Sequence, residues 1–109
     1  MIGSENWEEF VKSPLAVLML SKTDCAACNE WTEELKTFLE TDEAFKDVRF
    51  GKMLLNQRGL SGFKRISPWL ATVDVLPFNV LYKDGEKAKE FAGSGMTRLV
   101  NRLNNLRGG

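Results

Sequence analysis

An α/β domain, with a mixed central sheet sandwiched by helices, is the fold class this 109-residue chain predicts. Three observations predict it. Short apolar runs alternate with helical periodicity through the first half, the mark of two β-α-β crossovers. A Lys83-Asp84-Gly85 turn between two strand-like runs marks an antiparallel hairpin. A last amphipathic stretch then supplies a covering helix, so the order is αβαβαββα.

Each element has its own grounds. Ser4 is placed to cap a helix whose Trp7, Phe10 and Val11 follow the i, i+3, i+4 spacing, and Pro14 closes it. Leu15 to Ser21 is continuously apolar, as a strand covered on both faces would be. From Cys25 to about Thr41 runs the clearest helix, with Cys28, Trp31, Leu35, Phe38 and Leu39 on one face and Glu30, Glu33, Glu34 and Lys36 on the other. Val48 to Leu55 reads as a second buried strand carrying one charge, Lys52. Gly59, Ser61 and Gly62 suggest a loop, after which Ser67-Pro68 resembles a helix start leading into Trp69 to Val73. Phe78 to Tyr82 and Glu86 to Phe91 form the hairpin. Gly93, Ser94 and Gly95 break the chain before a last helix with Leu99, Val100, Leu103 and Leu106 on its apolar face.

Composition bounds the function. Apolar residues make up 43% and charged residues 28%, the balance of a globular chain, and the length fits one domain over residues 1–109. Fifteen basic and fifteen acidic residues cancel, and without a basic stripe neither nucleic acid nor an anionic membrane is an expected partner. The absence of His excludes a Ser-His-Asp triad, a Cys-His dyad and any histidine-ligated metal. Two Cys alone cannot close a tetrahedral zinc site, so no metal or other cofactor is expected. A disulfide-stapled secreted scaffold would carry more Cys, spread further apart. The longest apolar run, Leu15 to Leu20, is too short to span a bilayer and follows no basic segment, so a cytoplasmic protein is the expectation; a monomer is expected as well.

Both Cys of the chain sit together in Cys25-Ala26-Ala27-Cys28, where a strand ends and a helix begins. Two intervening residues bring the sulfurs within bonding reach when the second Cys lies in the first helical turn. Cys25 then meets the free N–H groups and positive dipole end of the helix, a setting that lowers a thiol from about 8.5 into a range of roughly 3.5–7.5. Asp24 opposes this, because an adjacent negative charge disfavours the thiolate. Cys25 is therefore the expected nucleophile and Cys28 the resolving thiol of a thiol–disulfide exchanger. The plainer alternative is two Cys packed as small buried hydrophobes.

With this motif the sequence resembles the thioredoxin family over most of its length. The motif follows the first central strand, and Val73-Asp74-Val75-Leu76-Pro77-Phe78 is similar to the family's segment around a cis-proline that faces the redox pair. The hairpin turn and Phe91-Ala92-Gly93 match the family's positions too; its first edge strand is absent or very short here. By itself Pro77 is equally an ordinary strand-start proline; the resemblance implies a cis Leu76–Pro77 bond. It also implies that the Leu76 backbone receives an extended substrate, and that Ala26, Ala27, Leu76, Pro77, Ala92 and Gly93 form an apolar groove beside Cys25. For Ala92 and Gly93 a simple strand end and turn is the other reading.

The chain departs from the family in two places. Thioredoxins proper have Trp-Cys-Gly-Pro-Cys where this chain has Asp24-Cys25-Ala26-Ala27-Cys28. The family's buried Asp, six residues before the first Cys, is Met19 here, although the matching Lys is kept as Lys52. Lys52 is thus either a buried cation without its usual partner or a Lys whose stem alone is covered. Asp24, Lys52 and Met19 are the residues expected to tune the pair. The expectation is a thioredoxin-like oxidoreductase acting on disulfide-containing proteins with a redox partner of its own. Two rival readings are a Cu(I)-trafficking module, since soft thiolates suit Cu(I), and a redox-inert docking domain of the same fold. Leu106-Arg107-Gly108-Gly109 matches the conjugation tail of ubiquitin-like modifiers, but a capped helix end explains it as well.

Overall fold

The structure is a computed structural model and describes residues 1–108. Helix α1 (Trp7–Val11) leads into strand β1 (Leu15–Ser21), whose seven residues are all buried. Helix α2 (Ala26–Thr41) crosses over to β2 (Arg49–Leu54). Helix α3 (Ser61–Ile66) and a 3₁₀ helix (Pro68–Thr72) follow. The hairpin strands are β3 (Phe78–Lys83) and β4 (Glu86–Ala92), and α4 (Met96–Gly108) ends the described chain.

The four strands lie in the order β2-β1-β3-β4. β1 runs parallel to β2 and antiparallel to β3, and β3 runs antiparallel to β4, so the sheet is mixed as expected. Strand alternation sorts β1 onto two cores. Ala16, Leu18 and Leu20 meet Trp7, Phe10, Leu60 and Phe63 from α1 and α3. Leu15, Val17 and Met19 meet Trp31, Leu35, Leu99 and Leu103 from α2 and α4. The hairpin turn has positive φ at both Asp84 (53°) and Gly85 (88°), the two-residue turn whose twist suits flanking antiparallel strands. Ahead of α1, Ile2 makes one parallel bridge to Met53, which is all that is formed of a further edge strand.

Several expectations need correction. Ser4 does not cap α1: its N-cap is Asn6, which makes no side-chain cap bond, and the Asn6 Oδ1 instead accepts from the Gly3 N–H at 2.7 Å. The second strand is not buried. It forms an edge of the sheet, starts at Arg49 rather than Val48, and buries only Met53 fully. The segment expected as a loop after Gly59 holds α3, whose fully buried Phe63 packs edge-on against Trp7 and Trp69 at 5.6 and 6.3 Å. Two aromatic contacts outweigh the weak helix propensity of Ser61-Gly62. In α2, Leu39 is 40% exposed rather than part of the core.

At the C-terminus, α4 carries through Arg107, whose guanidinium donates to the Ala44 carbonyl at 2.6 Å and lies 3.3 Å from the Asp47 carboxylate. Those bonds support the helix-end reading of Leu106-Arg107-Gly108; Gly109 lies outside the described residues. Among the described residues no helix is long and apolar enough to cross a membrane.

Candidate active site

Cys25 and Cys28 are joined in a disulfide, with their Cα atoms 5.2 Å apart. The local backbone explains the placement. β1 ends at Ser21, Asp24 takes a left-handed conformation (φ 63°), and Cys25 returns to extended geometry as the N-cap of α2. Asp is among the few non-glycine residues that adopt that region readily. The Cys25 sulfur accepts a hydrogen bond from the Cys28 N–H at 3.2 Å, so it satisfies one of the free donors that open the helix. A thiolate there would meet the same N–H and the positive end of the helix dipole. Cys25 is 9% exposed and Cys28 fully buried. One sulfur is thus reachable from solvent and the other sits behind it.

The approach loop is fastened from the far side of the sheet end. Asn56, just beyond β2, donates from its side-chain amide to the Thr23 hydroxyl at 2.7 Å. Sequence periodicity carried no sign of this clip, because both residues sit outside regular elements.

A surface groove of about 420 Å³ borders the disulfide, lined by Lys22, Asp24, Cys25, Ala26, Ala27, Val73, Asp74 and Leu76. Of the expected apolar groove, Ala26, Ala27 and Leu76 are brought to Cys25. Pro77, Ala92 and Gly93 are not among its walls. Pro77 is buried at the head of β3 and its carbonyl accepts from the Gly93 N–H at 2.7 Å; Ala92, exposed, pairs with Phe78. These three residues frame the strand ends behind the groove. Val73, Asp74 and Lys22 complete the walls and were not anticipated. The Leu76–Pro77 peptide is cis, as the resemblance implied.

Met19 is 2% exposed and stands in register between Lys52 of β2 and Asn79 of β3. Its sulfur receives the Thr32 hydroxyl at 4.0 Å, and that hydroxyl also donates to the Cys28 carbonyl at 2.8 Å. Lys52 is half-buried and lines a pit of about 200 Å³ between α2 and β2, together with Met19, Thr32 and Leu35. The covered-stem reading of Lys52 is the one this placement fits.

The polar group that sequence reasoning missed is Asn79. It is fully buried, accepts from the Trp31 indole N–H at 2.8 Å, and donates to the carbonyls of Gly93 (2.8 Å) and Phe91 (3.3 Å). A polar side chain in the otherwise apolar run from Phe78 to Tyr82 was the available signal. Through it the helix that carries Cys28 is bonded to the end of β4 and the turn at Gly93.

No protein-family model and no curated protein matches this chain. Solved structures do. Thioredoxin f2 of Chlamydomonas reinhardtii superposes with a TM-score of 0.72 at 24% identity, covering 95% of this chain and 92% of its own. The long form of spinach chloroplast thioredoxin f reaches 0.78 at 19% identity, over 97% of this chain and 84% of that one. Oxidised mitochondrial thioredoxin 3 of Saccharomyces cerevisiae gives 0.68 at 23%, over 92% and 87%. Since the spinach protein is from the chloroplast and the yeast one is mitochondrial, the shared architecture does not set a compartment. With a mixed sheet between two helical layers, a bridged Cys pair opening α2 and a cis-proline heading β3, this chain has the thioredoxin fold.

Proposed function

We propose that this chain is a protein-disulfide oxidoreductase, exchanging thiols and disulfides on protein or small-thiol substrates through Cys25 and Cys28. The observation that carries the reading is the asymmetry of the bridged pair: Cys25 at the groove and at the helix N-terminus, Cys28 fully buried one turn in. In the reducing direction the Cys25 thiolate attacks one sulfur of a substrate disulfide. That S–S bond breaks, and the departing thiolate takes a proton from solvent. The Cys28 thiol then loses its proton and attacks the Cys25 sulfur, which releases the second substrate thiol and forms the Cys25–Cys28 bond. Two electrons have passed to the substrate, and a separate redox partner must return the pair to dithiol.

Ala26, Ala27 and Leu76 are the substrate-facing wall in this reading. Pro77, Ala92 and Gly93 support the strand ends from which Leu76 presents its backbone. Asp24, Met19 and Lys52 tune the pair. The chain works as a single domain and a monomer, without a cofactor. A cytoplasmic site and a part in cell redox homeostasis belong to the same reading; both Cys serve the motif, leaving none for the structural bridges of a secreted scaffold.

Two measurements test it. Oxidised and then reduced dithiothreitol should reversibly remove and restore two thiols. Brief iodoacetamide treatment of the reduced protein, followed by peptide mapping, should label Cys25 well ahead of Cys28. Thiols that do not cycle would leave a redox-inert docking domain, and preferential labelling of Cys28 would reverse the two roles.

A further inference from the structure

The groove beside Cys25 carries a charge pattern that bears on which disulfides it takes. Its ionisable walls are Asp24, Asp74 and Lys22. All three are exposed, and none is in an ion pair among the described residues. The remaining walls, Ala26, Ala27, Val73 and Leu76, are apolar. Two unneutralised carboxylates against one ammonium leave the mouth of the groove negative, directly where a substrate disulfide must approach. Asp24 adjoins Cys25 in the chain and Asp74 comes from the segment that enters β3. The acids thus stand on two separate segments of the groove wall.

Resting on the exchange reading above, we infer that the preferred substrates are disulfides in protein segments flanked by basic residues. A cationic side chain next to the scissile bond would neutralise Asp24 and Asp74 together. It would also offset the repulsion between Asp24 and the Cys25 thiolate at the moment of attack. An acidic flank would add a like charge to a site that already opposes one. With water-like screening, one unit charge about 6 Å from a carboxylate changes the encounter roughly 3-fold, so two carboxylates opposed by one ammonium should separate cationic from anionic disulfides by about 10-fold.

The test uses three small symmetric disulfides: cystamine (dicationic), 2-hydroxyethyl disulfide (neutral) and 3,3′-dithiodipropionate (dianionic). Stopped-flow rates with the reduced protein are divided by the rates of a free small thiol with the same three, which removes their intrinsic reactivity. The expected order is cystamine, then hydroxyethyl, then dithiodipropionate. The roughly 10-fold spread at ~20 mM salt should collapse to under about 2-fold at ~0.5 M, where screening is short-ranged. Asp24→Asn keeps a residue that tolerates the left-handed backbone, and Asp74→Asn changes a residue of the other wall segment, distant in the chain from the Cys pair. By the same arithmetic each single variant leaves the groove near neutral and should flatten the spread to under about 2-fold, while Lys22→Gln should widen it about another 10-fold. A rise in Cys25 reactivity in Asp24→Asn would speed all three disulfides alike and leave their ratio untouched. A flat or reversed order in the natural chain overturns the inference, as does a cystamine-first order that survives in the Asp24→Asn/Asp74→Asn variant, where Lys22 alone should reverse it. If no disulfide reacts faster than with the free thiol, the exchange reading itself has failed. If all react but without charge order, exchange stands and this inference alone falls.

Discussion

Replacing Asn79 by Leu should cost the fold about 2–4 kcal/mol, although the new side chain has the same number of heavy atoms and a higher affinity for the core. Three buried partners are involved. The Trp31 indole N–H loses its acceptor in a position with no exposure, and the carbonyls of Phe91 and Gly93 each lose a donor. A buried donor left unsatisfied costs about 1–3 kcal/mol, and the indole N–H has nowhere to turn. The carbonyls lose less, since Gly93 lies partly exposed and each oxygen has a second lone pair. Against this, the added apolar surface returns about 1–2 kcal/mol. The remainder is a large share of the roughly 5–15 kcal/mol that holds a domain of this size.

Urea unfolding of the oxidised protein, monitored by circular dichroism, reads the loss directly. Trp31→Phe should by itself leave Asn79 short of one partner. The double variant Trp31→Phe/Asn79→Leu should be more stable than the sum of the single losses by about 1–2 kcal/mol, because the orphaned indole N–H is gone. Amide exchange adds a local readout: the Gly93 N–H, bonded to the Pro77 carbonyl at 2.7 Å, should exchange faster once Asn79 no longer anchors the Gly93 carbonyl. An Asn79→Leu protein within about 1 kcal/mol of the natural chain would refute the reasoning, as would strictly additive single variants.

Two further outcomes follow from buried side chains near the sheet centre. Burial pushes the Tyr82 phenol above its ordinary value of 10.0. In the unfolded chain the phenol ionises near ~10 while in the folded chain it stays neutral, so its contribution is present below ~10 and lost as pH climbs further; Tyr82→Phe should flatten the fall of the urea midpoint between roughly pH 9 and 11, and an unchanged slope would contradict it. Met19→Asp places a carboxylate on the row that holds Lys52, linked by the Thr32 hydroxyl to the Cys28 carbonyl, and should hasten decay of the mixed disulfide near neutral pH while destabilising the fold by about 1–3 kcal/mol; stopped-flow decay no faster than in the natural chain would mean that proton acceptance is not limiting.

The fold was legible where one kind of force dominates. Leu15 to Ser21 is apolar throughout because both faces of β1 are covered, so composition and burial agree residue by residue. Asp84-Gly85 declares its turn through backbone sterics alone. The motif was legible because both Cys sit at a strand-to-helix junction, a local feature. Edges were harder. Arg49–Leu54 looks like a core strand, yet the sheet ends there, with Ile2 and Phe10 covering one face of it and α2 covering the other only in part. Helix α3 was hidden because its grounds are tertiary: Phe63 between Trp7 and Trp69 supplies what Ser61-Gly62 cannot. The groove's far wall, Val73 and Asp74, depends on how the segment before β3 folds back, and no period reports that.

The row beneath α2 connects these points. From β2 to β4 it reads Lys52, Met19, Asn79, Phe91 in register, and Trp31 of α2 lies over it. The resemblance implies an acid at the position of Met19, where it would face Lys52. The chain instead places a thioether there and puts its buried polarity one strand over, at Asn79, with Trp31 as partner. Each change makes sense of the other. An amide at Asn79 is neutral and fully bonded, so it can be buried without a counter-ion, whereas an acid at Met19 would need Lys52 drawn inward. Lys52, half-buried at the rim of the pit, is in no ion pair among the described residues. In the proposed exchange, with no carboxylate on this row, the Cys28 proton would pass to water or to a surface acid such as Asp24 or Glu30. On that reading Asn79 and Trp31 serve the stability of the core, and the acid–base work of the pair falls to the solvent side of the groove.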